Sequence, residues 1–485
     1  MAPKDAASLP FFVFQGEPSP PPDACSQNWA RLLRCFRAGA LLAVGLFVSA
    51  SYFQYSRWHR CSSPRLIVED GVGLPKEFQQ TWAAYSPYFA AADYDAPPGD
   101  CEITQANLLQ RHGARYPTAG NTHDMKIALQ KLLDATVYTD KAFEFLATFE
   151  WDLGEADLLP LGEKEAFDSG SEHYSRYKHL ITGDMLPFVR ASGSERVIYS
   201  AANWTAGFAS ASGHMYSPEI AVIIPEMHDS NNTLDDYMCP NFDDQEDQAH
   251  VWLDVFVPPI ADRVNQAVPG AELSNQDIAD LMPLCAFETV FHGTTSPFCT
   301  IFSLEEFKAH EYYDDLKKFY HTGYGNALGP VQGVGYVNEL LARLTGTPVL
   351  DRTQTNRTLD SSPITFPLDR TFYADFSHDN EMIAIYAALG LFPQDEYPST
   401  TLPDPVRTWR VSRMTPFSGR LITEKLLCKR GGEHKEYVRM LVNDAVQPLA
   451  SCGAHGDGLC EIGAFIESQG YARSNGNGDW DKCFS

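Results

Sequence analysis

The residues best suited to chemistry form one short segment, Arg111-His112-Gly113-Ala114-Arg115, in which two guanidinium groups flank an imidazole. Arginine presents a planar fork of donors that matches the oxygens of a phosphate group. Nearby positive charge lowers the pKa of a histidine, and a neutral imidazole can attack phosphorus. The segment therefore predicts a phosphoryl-transfer site with His112 as the nucleophile. A basic surface loop remains the alternative for so short a motif.

Two further segments offer groups of matching chemistry. In the run YADF-Ser377-His378-Asp379, His378 could bond a phosphoryl oxygen, and Asp379 in its acid form could protonate a leaving group. Asp379 could instead cap a helix that begins at Asn380, or the His-Asp pair could bind a metal. Arg196 is a third candidate for phosphate binding, with an ordinary surface arginine as the alternative.

Apolar runs predict the elements that must position these groups. We expect strands at 101–110, 194–202, 219–226 and within 370–379, and helices at about 124–135 and 380–392. Open α/β sheets bind ligands beyond the carboxyl ends of their strands, where the three groups would meet. Two antiparallel strands are expected in RLITEKLLCK and YVRMLVNDAVQPL, near the end of the chain.

A mostly helical block separates the predicted strands, which favours an α/β core with an inserted helical domain. The predicted α/β core consists of 101–135, 191–230 and 350–485, and the insert of 136–190 and 231–349. Three segments precede the core: a disordered tail at 1–37, an apolar segment at 38–55 and an extended lead-in at 56–100.

The net charge and the absence of several motifs disfavour some classes of function. Lys and Arg number 37 and Asp and Glu number 63 among 485 residues, a net charge of −26 that disfavours a nucleic-acid partner. The sequence contains no Walker P-loop and no G-x-S-x-G elbow, which disfavours P-loop enzymes and serine hydrolases. It also lacks C-x-x-C and H-E-x-x-H, so we expect no metal and no cofactor.

The apolar segment 38–55 has two interpretations. It could be a signal anchor of a single-pass type II membrane protein, or the apolar part of a cleaved secretion signal. Eleven cysteines and three N-x-[ST] sequons, at Asn203, Asn231 and Asn356, favour a lumenal or extracellular catalytic domain, glycosylated at these sites.

The segment RHGARYPT at 111–118 resembles the signature of the histidine acid phosphatases, and of the fungal phytases in particular. Four longer segments are also similar to their phytase counterparts, and the resemblance covers roughly residues 80–485 in colinear order. They are WDLGEADLLPLG (151–162), GYGNALGPVQGVGYVNELLARLTGTPV (323–349), TNRTLDSSPITFPLDRTFYADFSHDNEM (355–382) and VRMLVNDAVQPLASC (438–452). The resemblance implies a phosphoglycerate-mutase-like, mixed-sheet α/β fold with an inserted helical domain.

The resemblance also implies an activity: hydrolysis of phosphomonoesters, above all phytate (myo-inositol hexakisphosphate), at acid pH through a phosphohistidine. His112 would be the nucleophile and Asp379 the general acid. The side chains that would hold the phosphoryl oxygens are Arg111, Arg115, Arg196 and His378. Lysines that could contact the outer phosphates are Lys126, Lys317 and Lys318. No metal or cofactor is implied, and we expect a monomer.

Disulfide pairings follow from the same resemblance. The implied pairs are Cys101–Cys428, Cys239–Cys483, Cys285–Cys299 and Cys452–Cys460. Of the remaining three cysteines, Cys25 and Cys35 precede the apolar segment and would stay reduced in the cytosol if it is an anchor, and Cys61 could be free or could pair between chains.

Two alternatives to a phytase stay open. A broad-specificity acid phosphatase for small phosphomonoesters is the first, because Lys126 is the only lysine in the segment after RHGARYPT, where phytases often carry several. The second is a membrane-tethered binding protein on a catalytically inactive fold, although His112, His378 and Asp379 are all present.

Overall fold

The computed structural model describes residues 74–227, 230–454 and 456–485. The predictions for the tail 1–37, the apolar segment 38–55 and Cys61 lie outside the described residues. Within the described ranges, every helix is too short or too polar to cross a membrane.

An eight-stranded mixed sheet forms the centre of the fold, which confirms the predicted fold class. The strands run in the order β3-β2-β4-β1-β5-β6-β7, and β8 pairs with β6. Pairing is parallel from β3 through β2 and β4 to β1, and antiparallel from β1 through β5 and β6 to β7. The strands are β1 Cys101–Arg111, β2 Phe188–Ser192, β3 Ile220–Ile224, β4 Phe372–Ser377, β5 Arg420–Arg430, β6 Glu433–Val442, β7 Ala445–Val446 and β8 Cys460–Glu461.

Helices fill the connections between the strands. Those of ten or more residues, with the shorter α6, are α1 Ala119–Leu133, α2 Pro160–Tyr177, α3 Glu195–Ala211, α4 Asp247–Phe256, α5 Pro258–Ala267, α6 Asn275–Leu281, α7 Pro283–His292, α8 Leu304–Tyr320, α9 Val334–Thr345 and α10 Asp379–Leu389. Further short helices are Lys76–Gln79, Arg357–Asp360, Val411–Met414, Ile462–Ser468, Gly470–Arg473 and Asp479–Lys482. Six of the helices, α4 to α9, lie between β3 and β4, as the helical block predicts; the domain boundaries themselves stay a prediction.

The strand predicted at 194–202 is wrong, because this segment belongs to helix α3. Its buried positions Val197, Ala201, Trp204 and Phe208 recur every three or four residues, which is the spacing of one helix face. The β-branched pair Val-Ile suggested a strand, but the true strand is the preceding five residues of β2. Helix α1 also begins earlier than predicted, at Ala119, directly after its N-cap Thr118.

A buried ionic cluster lies in the middle of the sheet. Asp375 of β4 is fully buried and pairs with Arg190 of β2 (2.8 Å) and Arg343 of α9 (2.6 Å). Glu339 completes the cluster through a 2.6 Å contact to Arg190. Burial raises the pKa of Asp375, but the two guanidinium groups outweigh it and lower the pKa below its ordinary value. Charges this deep in a sheet are tolerated because each has a partner of opposite sign.

Among the described residues, four disulfides crosslink the chain, two of them between segments 327 and 244 positions apart. They are Cys101–Cys428, Cys239–Cys483, Cys285–Cys299 and Cys452–Cys460, the pairs that the resemblance implies. The first joins β1 to β5 next to their paired backbones, and the second ties the chain terminus to the segment after β3. These crosslinks restrict the unfolded chain and so stabilise the fold.

Replacing Asp375 by Asn should lower the free energy of unfolding by about 3–5 kcal/mol, because it leaves two buried guanidinium groups without their carboxylate. The measurement is urea unfolding at neutral pH. The matched control is Asp369→Asn, whose carboxylate is 83 % exposed and lies 3.9 Å from Arg370; that change should cost less than about 1 kcal/mol. Equal midpoints for the two variants would contradict the assignment.

Candidate active site

The three segments with candidate groups meet at one end of the parallel strands. Arg111, the last residue of β1, lies in register with Ser377, the last residue of β4, so the residues that follow them are neighbours. The imidazole centroids of His112 and His378 are 5.7 Å apart. Arg196 reaches the same place from the first turn of α3. The resulting cavity has a volume of about 550 Å³.

His112 is buried and holds one defined tautomer. Its Nδ1 lies 2.9 Å from the carbonyl oxygen of Gly113, which can only accept, so Nδ1 carries the proton and Nε2 keeps a lone pair. The pKa of His112 is well below its usual value, first because of burial and then because of the positive charges of Arg111 and Arg115. Charge is the reason that the sequence suggests, whereas burial makes the larger contribution. The outcome is an uncharged imidazole with an unprotonated nitrogen in the cavity wall.

Side chains from two helices hold the backbone of the loop after β1. The N–H of Gly113 donates to Ser200 Oγ of α3 (3.0 Å), and the N–H of Ala114 donates to Glu165 Oε2 of α2 (2.9 Å). A Cβ at Gly113 would lie 2.3 Å from the carbonyl oxygen of Gly162, so only glycine allows this approach. Burial raises the pKa of Glu165 to about 7. Sequence analysis missed Glu165 and Ser200, since neither stands near a motif.

Arg115 and Arg196 line the cavity, and several N–H groups of the arginines at the site have no hydrogen-bond partner among the described residues. Arg111 is fully buried, and its Nη1 donates to the carbonyls of Ala84 and Thr415, the latter at 2.8 Å. Among the described residues, no hydrogen-bond partner exists for Arg111 Nε, Arg111 Nη2, Arg115 Nε or Arg196 Nε. Buried donors without partners are costly. An anion with several acceptor oxygens, such as phosphate, would satisfy those that face the cavity.

Glu226, at the end of β3, holds His378 in place. Its Oε1 accepts hydrogen bonds from His378 Nε2 (2.8 Å), Ser192 Oγ (2.7 Å) and the Ser194 N–H (2.9 Å). Burial raises the pKa of Glu226, but the hydrogen bonds from His378, Ser192 and Ser194 outweigh it and lower the pKa to about 2. The second nitrogen of His378, Nδ1, lies 3.3 Å from Arg196 Nη2. Sequence analysis missed Glu226, although it stands where a predicted strand ends.

Asp379 is the first residue of α10 and is not its cap, which is His378. Its Oδ2 lies 2.8 Å from Lys318 Nζ and 3.5 Å from Arg111 Nη2. Burial raises the pKa of Asp379, but Arg111 and Lys318 outweigh it and hold the pKa well below its ordinary value. Without substrate, this carboxyl group is therefore ionised.

The three predicted outer lysines have different positions. Lys317 and Lys318 of α8 line the cavity, and Lys317 Nζ lies 2.8 Å from Glu246 Oε1. Lys126 is not among the residues that line it; its ammonium packs 4.7 Å from the ring centre of Trp151. The cavity wall also carries acidic side chains that no sequence motif indicated: Asp235, Asp236, Asp244, Glu246 and Asp314.

Comparison with known proteins identifies the family. Residues 102–443 match the model of the histidine phosphatase superfamily, branch 2. Phytase A of Arthroderma benhamiae is 42 % identical over 441 residues, which covers 87 % of this chain and 96 % of the relative. Phytase A of Aspergillus fumigatus is 40 % identical over 439 residues, covering 86 % of this chain and 93 % of the relative.

Solved structures agree on the fold. The crystal structure of a phytase from D. castellii superposes with a TM-score of 0.68 at 22 % identity, covering 86 % of this chain and 89 % of that one. A multiple inositol polyphosphate phosphatase of Bifidobacterium longum, in complex with inositol hexasulfate, has a TM-score of 0.61 at 14 % identity and covers 81 % and 98 %. With a family match over most of its length and relatives at about 40 % identity, this chain belongs to branch 2 of the histidine phosphatase superfamily.

Proposed function

We propose that this protein is a histidine acid phosphatase that hydrolyses phosphate monoesters, with phytate as its substrate. The observation that carries the proposal is the uncharged His112, with its Nε2 lone pair free, in a cavity walled by Arg115 and Arg196 and backed by Arg111. The Phytase A relatives at about 40 % identity support the choice of substrate.

In the first step, His112 Nε2 attacks the phosphorus of the bound ester. A nitrogen–phosphorus bond forms and the bond to the ester oxygen breaks, with Asp379 supplying a proton to the departing alcohol. Arg111, Arg115 and Arg196 donate to the nonbridging oxygens, where negative charge collects in the transition state. Their guanidinium groups are already buried and oriented, so little reorganisation is needed.

In the second step, water attacks the phosphohistidine and releases inorganic phosphate. The carboxylate left on Asp379 by the first step accepts the proton of that water, which restores the starting state. Nδ1 of His112 keeps its proton and its bond to Gly113 throughout, so the ring does not rotate between the two steps.

Substrate binding must change the protonation of Asp379. In the free protein, Arg111 and Lys318 keep this carboxyl group ionised. A bound phosphate dianion brings negative charge beside it and shares these cations, and both effects raise the pKa of Asp379. The acid form is then populated only towards low pH, which is the physical reason for the expected acid optimum.

A polyphosphorylated substrate meets both lysines and carboxylates beyond the reacting phosphate. Lys317 and Lys318 supply positive charge at the cavity wall, and the acidic side chains oppose it. Burial raises the pKa of Asp235 to about 7, so this group is neutral in acid. Repulsion of phytate therefore weakens as pH falls, which adds to the acid dependence.

The protein reaches its site of action through the secretory pathway in this proposal. Four disulfides require an oxidising compartment, which is consistent with an extracellular enzyme. The three sequons are proposed glycosylation sites: Asn203 on α3, Asn231 after β3 and Asn356 at the N-cap of a short helix. The mass of the mature chain, measured by mass spectrometry, would distinguish an anchor at 38–55 from a cleaved signal.

Replacing His112 by Ala should reduce phosphate release from phytate by about 10³-fold or more, because the nucleophile is lost. Phosphohistidine hydrolyses in acid, so acid precipitation is unsuitable. The phosphoenzyme formed from ³²P-labelled substrate is instead trapped by denaturation in alkali. The wild type should carry label and His112→Ala should not. His123→Ala, at an exposed position of α1, is the control. Undiminished turnover by His112→Ala would overturn the catalytic assignment.

Replacing Lys318 by Met should move the alkaline limb of the kcat–pH profile upward by about one pH unit. Lys318 lowers the pKa of Asp379, so removing it raises that pKa and keeps the general acid protonated to higher pH. The profile is measured with β-glycerophosphate, which makes no outer-phosphate contacts and whose alcohol leaving group, unlike 4-nitrophenolate, needs a proton to depart. Lys317→Met is the matched control, since Lys317 pairs with Glu246. A limb that moves downward would contradict this role.

Lys317→Met should lower kcat/KM for phytate about fivefold to tenfold at acid pH while leaving 4-nitrophenyl phosphate nearly unchanged. The loss corresponds to about 1 kcal/mol for one cation near an outer phosphate. Lys126→Met should change neither value, because its ammonium packs on Trp151. An equal loss in both variants would show that the effect is general charge and not contact.

A further inference from the structure

Beside the phosphate-binding arginines lies a group of three side chains with metal-ligating atoms. Glu226 lies two residues after β3, Asp235 lies further along the segment that follows β3, and His378 follows β4. One ligand atom from each, two carboxylate oxygens and an imidazole nitrogen, lie within 4.8 Å of one another. Together they place one nitrogen and two oxygens around a common point.

Asp235 gives a second, independent sign of a ligand. Its side chain is only 2 % exposed, and Oδ1 accepts the N–H of Asp236 (3.1 Å). The other oxygen, Oδ2, is buried and has no hydrogen-bond partner among the described residues. A buried carboxylate oxygen without a donor is costly, and a cation at this point would remove that cost.

We propose that Glu226, Asp235 and His378 bind a divalent first-row transition-metal ion, for which Zn²⁺ is the probe. Imidazole and carboxylate ligands together suit Zn²⁺ and its neighbours, whereas Mg²⁺ and Ca²⁺ prefer oxygen alone. Binding displaces the proton that Asp235 carries in acid, which passes to solvent, and the two carboxylates then neutralise the charge of the ion. The site lies in the wall of the phosphate cavity, which all three residues line, but shares only His378 with the phosphate-binding set.

Metal binding requires a proton shift on His378. In the free protein Nε2–H donates to Glu226, and Nδ1 faces Arg196 as the acceptor. When the metal takes the Nε2 lone pair, the Nε2 proton leaves and the neutral ring carries its proton on Nδ1. Nδ1–H and Arg196 Nη2 are then both donors, so their hydrogen bond is lost. The ion therefore displaces Arg196 or His378 from the phosphate-binding arrangement, and we expect it to inhibit.

Isothermal titration of the intact protein with Zn²⁺ at about pH 6.5 tests the site directly. The wild type should bind one ion, and Asp235→Asn should weaken binding at least about tenfold, because an amide is a poor ligand for Zn²⁺. Asp314→Asn is the matched control: it removes a carboxylate from the same cavity wall but not from the triad. Glu226→Gln serves in place of Asp235→Asn should that variant fail to fold.

Inhibition is the second measurement and rests on the proposed phosphatase activity, whereas the titration does not. The assay uses 4-nitrophenyl phosphate, because phytate itself chelates metals. In Asp235→Asn, the half-inhibitory Zn²⁺ concentration should rise in parallel with the loss of Zn²⁺ binding. Absence of Zn²⁺ binding by the wild type, or equal weakening by Asp235→Asn and Asp314→Asn, would overturn the site. Binding without activity would leave the site in place and refute the phosphatase.

Discussion

The site depends on keeping one imidazole uncharged among guanidinium groups. His112 is buried, and Arg111, Arg115 and Arg196 all lower its pKa, so a proton on Nε2 is disfavoured even in acid. The same cations that suppress protonation are those that attract a phosphate dianion. One set of positive charges therefore both keeps His112 uncharged and binds the phosphate group. Both effects persist at the low pH at which an acid phosphatase must act.

Burying cations carries an energetic penalty, which the surrounding chain offsets. Arg111 donates to backbone carbonyls of Ala84 and Thr415 and packs against the ring of Phe417 at 4.9 Å. Its remaining donors stay available for an anion. Because the protein carries a net charge of −26, a phosphate-rich substrate is attracted only by such a local concentration of positive charge. Asp235 in the cavity wall opposes that attraction less in acid, because burial raises its pKa to about 7.

Several elements could be predicted from local pattern. Apolar runs in the sequence predict β1, β3, β4 and helix α10. The groups that follow β1 and β4 meet because adjacent parallel strands end at the same edge of the sheet. The error at 194–202 has a local cause: β-branched residues suggested a strand, while the period of the buried positions belongs to a helix packed on the sheet. Tertiary packing overrode intrinsic preference there. Lys126 packs on the ring of Trp151, a contact that nothing in its neighbourhood in sequence reveals.

By itself, the sequence indicated the candidate reactive residues and the strands β1 and β4 that precede them, because each of these signals is local along the chain. The tertiary structure added the contact of His112 Nδ1 with the Gly113 carbonyl, which fixes the tautomer. Only the tertiary structure decided that Glu226 orients His378, that Glu165 and Ser200 hold the catalytic loop, and that Lys318 lowers the pKa of Asp379. Those contacts join residues separated by about fifty to more than one hundred and fifty positions. When a polar residue lies outside any motif, the sequence does not indicate which residue it contacts. That partner becomes known only when the folded sheet and helices bring the two side chains together.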